Sequence, residues 1–293
     1  KMSFLQRRRN LTILLTVLGL MILLLAGCSA GISPEPEGAQ QTEAYYPLVV
    51  TDDHGREVTL TKEPQRIVAI GPSITEILFA LGAGDRLVGV DNFSDYPPET
   101  AQIEKVGDTL GLDYEKITEL QPDLIITLSL QQAVPELEKL GVPVYVKDPQ
   151  NLAEVVETFR TFGRLLNLEA KAEQLASELE AGIAAVEAVV REIPAAERVT
   201  VFYEVWPDPL MTAGPGSFIA DVIEKAGGIN IANSVDQPWA TFSVEALIAA
   251  NPQVIITPFQ DSYQELTSGK RAAWQEIDAV KNGRVYLIDQ DII

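Results

Sequence analysis

The 293-residue chain has one cysteine, Cys28, and one histidine, His54. A single cysteine excludes an internal disulfide, so packing alone must supply stability. A single histidine excludes the multi-histidine sites favoured by zinc. It also leaves a Ser-His-Asp triad with one possible base, and His54 sits in a turn sequence. Positive charge is scarce, with 22 Lys and Arg against 42 Asp and Glu and a net charge of −20. Nucleic acid is therefore a poor partner, because its binding runs on basic side chains meeting phosphates. Gly-x-x-x-x-Gly-Lys-Ser/Thr does not occur, so the signature of nucleotide hydrolysis is missing, and Gly214-Pro215-Gly216-Ser217 is not the Gly-x-Ser-x-Gly of a nucleophile elbow. No apolar run reaches the ~20 residues of a spanning helix. The longest, Leu11 to Ala26, has 16.

That run follows Arg7, Arg8 and Arg9 and ends in small residues, the pattern of a signal peptide over residues 1–27. Cys28 closes Leu25-Ala26-Gly27-Cys28, which resembles a bacterial lipobox. There the thiol is acylated, and each buried methylene holds the membrane with ~0.8 kcal/mol. The expectation is an extracytoplasmic protein whose membrane contact is a lipid at Cys28. Residues 28–46 are rich in Pro, Gly, Glu and Gln and read as a flexible tether.

The body reads as an α/β fold of short buried strands and helices. Leu48 to Leu60 alternates around Asp52-Asp53-His54-Gly55, a hairpin pattern. Arg66 to Ile70 and Leu87 to Val90 are short apolar runs flanking a helical pattern from Ile74 to Leu81, which argues for a parallel sheet. One phrase occurs twice. Residues 113–127 and 243–257, offset by 130, each give a capped short helix, Pro, then a buried strand. Gly71-Pro72-Ser73 has a looser echo in Gly214-Pro215-Gly216-Ser217. Two copies predict two similar lobes, residues 47–167 and 195–293. Leu152 to Leu166 is amphipathic. Residues 168–194 are rich in Ala, Glu and Leu and are expected to form a stiff helix joining the lobes.

With Arg66 to Glu76, Leu87 to Pro98 and the two Glu-bearing repeats in this order, the chain resembles the class III substrate-binding proteins of ABC importers. That group captures cobalamin, iron-siderophores and haem, and the resemblance spans roughly residues 48–291. It implies two Rossmann-like lobes with parallel sheets, one bridging helix and a ligand cleft between the lobes. It implies a monomer that delivers a metal chelate to an ABC permease and its ATPase, with no catalytic residues and no cofactor of its own. Glu115 and Glu245, equivalent in the two copies, match the acids that dock on permease arginines. The resemblance also implies a last C-terminal helix that residues up to 293 do not supply, leaving apolar surface on the second lobe.

Loops after the strands should face the cleft. Ser73, Asn92, Phe93 and Tyr96 are the first-lobe candidates. Tyr203, Trp206, Trp239, Phe259 and Tyr263 are those of the second, with Asp291 near the end. Aromatic faces suit a large flat ligand. Phe93, Tyr203, Trp239 and Asp291 match the cobalamin-binding members especially. These loops hold no Arg or Lys, which favours cobalamin over an anionic ferric siderophore, with haem a further alternative. An adhesive lipoprotein and a carboxylate-dependent hydrolase are the alternatives of other classes.

Overall fold

A computed structural model describes residues 45–108, 111–130 and 132–292 of the chain. The signal peptide, Cys28 and nearly all of the tether lie outside the described residues.

The hairpin forms as its alternation predicts, with β1 (Leu48–Thr51) antiparallel to β2 (Glu57–Leu60). Its turn is held by Asp52, whose carboxylate accepts from the backbone amides of His54 and Arg56 and from Arg56 Nε at 2.9–3.0 Å. Burial pushes this carboxyl up, but the Arg56 and Val146 hydrogen bonds outweigh that and leave it below its ordinary range. The first sheet is built from β3 (Ile67–Ile70), β4 (Leu87–Val90), β5 (Glu104–Lys105), β8 (Leu124–Thr127) and β9 (Val144–Val146). Between them lie α1 (Pro72–Ala80), a small antiparallel pair β6 (Gly107–Asp108) and β7 (Gly111–Leu112), α2 (Tyr114–Glu119) and α3 (Val134–Glu138). The strand order is β5-β4-β3-β8-β9 and every pairing is parallel. All of β3 and β8 is buried, as unbroken apolar runs covered on both faces require. Ile67, Ala69, Leu124 and Ile126 form one core layer, and Val68, Ile70 and Ile125 form the other.

α4 (Leu152–Leu166) is capped by Asn151, which accepts from the Glu154 amide, and ends at Asn167 in the left-handed region. The next helix, α5 (Glu169–Arg191), buries Ala172 and Ala176 in the first-lobe core. Its far end belongs to the other lobe. Val190 is buried there, close against Gly227, and Glu187 pairs with Lys225 at 2.6 Å. None of residues 177–189 between these ends is buried.

The second lobe holds β10 (Thr200–Pro207), β11 (Leu210–Ala213), α6 (Phe218–Lys225), β12 (Ile229–Asn230), β13 (Trp239–Thr241), α7 (Val244–Ala250), β14 (Val254–Thr257), α8 (Gln260–Thr267), α9 (Asp278–Lys281) and β15 (Val285–Leu287). Its sheet runs β13-β11-β10-β14-β15, with β12 also on β10. This sheet is mixed, which corrects the expectation of two parallel sheets. β10, β12, β14 and β15 are parallel, but β10 reverses at Asp208-Pro209 into β11, and β11 and β13 run antiparallel. The same hairpin separates β10 from α6, so the Gly214 echo of Gly71 is not a structural equivalent. One face of this sheet stays partly open, with Val254, Ile256 and Ile288 half-buried and Tyr286 exposed.

The 130-residue repeat is structural. Asp113 and Ser243 cap α2 and α7 by accepting from the amides of Lys116 and Ala246. Gln121 and Asn251, at φ 49° and 45°, end both helices before the proline and the buried strand. Tyr46–Ile293 forms one compact unit, and an α4–α6 contact ties the lobes, the Leu152 amide donating to Asp221 Oδ2 at 2.8 Å.

Candidate binding cleft

Residues just beyond strand ends in the two lobes come within electrostatic reach of one another. Glu76 on α1 and Asp291 from the other lobe are such a pair. Burial pushes the Glu76 carboxyl up, and Asp291 and Asp95 push it further. The cleft therefore carries acids on both walls.

The first wall is made by the turns after β3 and β4. Ser73 is exposed on the first turn of α1. Asn92 is exposed and donates through Nδ2 to Asp108 at 3.1 Å. Phe93 and Tyr96 are 56% and 46% exposed, although both are large apolar rings. The second wall follows β10, β14 and β15. Trp206 is 51% exposed and meets Phe259 edge-on, with ring centroids 5.5 Å apart at 87°. Its indole N–H is satisfied by the Asp208 carbonyl at 3.0 Å, which fixes the ring plane. Beside this pair opens a cavity of about 610 Å³, lined in part by Asp208, Phe259, Gln260, Arg271 and Gln290. A second space of about 520 Å³ lies along Pro258, Leu287, Asp289 and Asp291.

Not every sequence candidate reaches the cleft surface. Tyr203 is buried against Ala213, Ile219 and Ile223. β10 runs on to Pro207, so Tyr203 lies mid-strand and not in a loop, and burial pushes its phenol up to about 12. Tyr263, on α8, packs on the other core layer of the same lobe. Trp239 is 45% exposed but stands on the edge strand β13, opposite Ala213. Glu115 and Glu245 are both exposed in the first turn of their helices. His54 stays in its turn, with Nε2 2.7 Å from Ser129 Oγ.

Two features escape the sequence motifs. Arg271 reaches the larger cavity from outside the candidate loops, but its guanidinium is committed. It donates to Glu204 at 2.6 Å, Ser262 at 2.8 Å and Glu265 at 3.0 Å, and lies 5.0 Å from the Trp274 ring. Glu204 is fully buried and its other oxygen accepts from Thr257 Oγ1 at 2.6 Å. The second is the packing of the turn after β4, where Asp91 and Ser94 are buried. Among the described residues, no group of three His, Cys, Asp or Glu side chains converges as metal ligands, and no helix is long and apolar enough to cross a membrane.

Known proteins share both this sequence and this architecture. The family model described as periplasmic binding protein matches residues 67–292. An uncharacterised ABC transporter substrate-binding lipoprotein of Bacillus subtilis, YvrC, is 34% identical over 282 residues, covering 94% of this chain and 88% of its own. A vitamin B12-binding protein of Vibrio parahaemolyticus is 30% identical over 254 residues, 85% of this chain and 88% of its own. Among solved structures, the periplasmic vitamin B12-binding protein BtuF of Vibrio cholerae superposes with a TM-score of 0.69 at 27% identity, over 78% of this chain and 89% of that one.

Proposed function

Since this chain belongs to the periplasmic binding protein family, as a non-enzymatic substrate-binding protein of an ABC importer, we propose that its cargo is cobalamin or a close corrinoid. The observation that carries this reading is the exposure of large aromatic faces on both lobes, Phe93 and Tyr96 on the turn after β4 and Trp206 near the end of β10. Exposed rings of this size, held by backbone and indole hydrogen bonds, offer flat contact at little entropic cost. The charge of the cleft supports the same class. Glu76, Asp95 and Asp291 line it, and Arg271 is spent on Glu204 and Glu265. Carboxylate-bearing ligands such as haem or an anionic ferric siderophore meet repulsion there. A corrin rim of uncharged amides meets acceptors for its N–H groups. The vitamin B12-binding relatives point the same way.

In this reading Cys28 carries the lipid that keeps the protein beside its importer. The lobes clamp the corrin, and Glu115 and Glu245 present the loaded protein to the permease. Titration of the full chain with cyanocobalamin, followed by tryptophan fluorescence, tests the cargo. Saturable quenching below micromolar concentration, more than ~8 kcal/mol of binding, is expected. Trp206→Ala should weaken it by roughly tenfold or more. No quenching by cyanocobalamin alongside tight binding of haemin or a ferric siderophore would overturn the corrinoid assignment.

A further inference from the structure

The turn after β4 is packed inside out. In an ordinary surface turn the rings seek cover and the short polar side chains face water. Here Asp91 and Ser94 are 1% and 0% exposed, while Phe93 and Tyr96 stand in solvent. Burying three polar side chains side by side is costly unless they bond one another. Here they do so in part: Ser94 Oγ donates to Asp91 Oδ1, and Thr75 Oγ1, fully buried on α1, lies 2.9 Å from Ser94 Oγ and 3.2 Å from Gly71 O, while Asp91 Oδ2 is buried with no partner. Lys105 closes the group from β5, its ammonium bonding the carbonyls of Asp91 and Ser94. The Asn92 amide adds a 2.7 Å bond to Gly107 O. The backbone is thus pinned on both sides of Phe93, at Asp91, Asn92 and Ser94, by groups on β5 and β6, and the Ser94 side chain is held from α1.

We propose that Asp91, Ser94, Thr75 and Lys105 are positioning residues for ligand capture, a buried polar latch that holds Phe93 and Tyr96 as a preformed aromatic platform. Neither ring is held in place by burial, so the latch does the work that packing does elsewhere. A platform ordered before binding loses less freedom when the ligand arrives. The inference rests on the cleft being the binding site, and it adds residues that never touch the ligand.

Thr75→Val keeps the shape of the buried side chain and removes its hydroxyl, whereas Thr75→Ser keeps the hydroxyl. Hydrogen exchange of residues 91–96 in the unliganded full chain should accelerate at least tenfold in Thr75→Val, with the rest of the first lobe unchanged. Cyanocobalamin affinity should fall about tenfold, and Thr75→Ser should restore both. Lys105→Met cuts the latch from the opposite side and should give the same local result if Thr75→Val does not fold. Unchanged exchange in the loop overturns the latch. Accelerated exchange with unchanged cyanocobalamin affinity overturns its role in capture. If the unmodified protein does not bind cyanocobalamin, the cargo assignment has failed, and the exchange comparison still decides whether the latch holds the loop.

Discussion

Glu204 is the residue whose surroundings differ most from what its neighbours in sequence suggest. It sits in Thr200–Pro207 among Val, Phe, Tyr and Trp, fully buried, and its charge is answered by Arg271 and Thr257. Burial alone would lower the pKa of Arg271, but its hydrogen bonds and charge contacts with Glu204 and Glu265 raise it, so the guanidinium stays charged. Arg271→Met should therefore destabilise the protein by about 3–5 kcal/mol, because it strands a buried carboxylate. Glu204→Leu combined with Arg271→Met should recover most of that loss, and denaturant midpoints of the two variants decide it. A lone Glu inside an apolar strand is legible as a buried charge. Its partner, 67 residues away, is not, since no local pattern joins them. Tyr203 was unreadable for a related reason. The strand outlasts its apolar pattern, so a ring that reads as a loop residue lies in the sheet.

At the level of elements, the repeat carried the most information. Its caps, its left-handed helix ends and its buried strands all form at the spacing the sequence sets out. Strand direction in the second lobe was not legible, because it depends on a reversal at Asp208-Pro209 that leaves the apolar runs unchanged. The two copies also differ in a way that can be measured. Gln121 and Asn251 share the same left-handed backbone, but Asn251 Oδ1 accepts from the Asp278 amide at 2.8 Å. Gln121→Gly should stabilise by about 0.5–1 kcal/mol, relieving a conformation that glutamine resists. Asn251→Gly should instead destabilise by about 1 kcal/mol, since asparagine tolerates that backbone and its hydrogen bond is lost. Urea denaturation of both variants should show shifts of opposite sign.

For the whole molecule, the arrangement of like parts matters more than any one of them. Two lobes each lift one exposed acid, Glu115 and Glu245, from the first turn of the repeated helix. If these acids dock the importer, Glu115→Lys with Glu245→Lys should cut uptake by at least tenfold in cells. Cyanocobalamin affinity of the purified variant should stay within about twofold, and retained uptake would refute the docking role. The joint between the lobes sets how they can move. α5 is gripped at one end by the core around Ala172 and Ala176, on which Ile183 also packs, and at the other by Val190 and the Lys225–Glu187 pair, with about 5 Å of helix free between. A rod clamped at both ends behaves as a leaf spring. Its resistance grows smoothly with the angle through which the jaws turn, so the empty protein should sample a continuous range of small gapes, without a discrete open or shut state, and a cargo would select a gape by its own thickness.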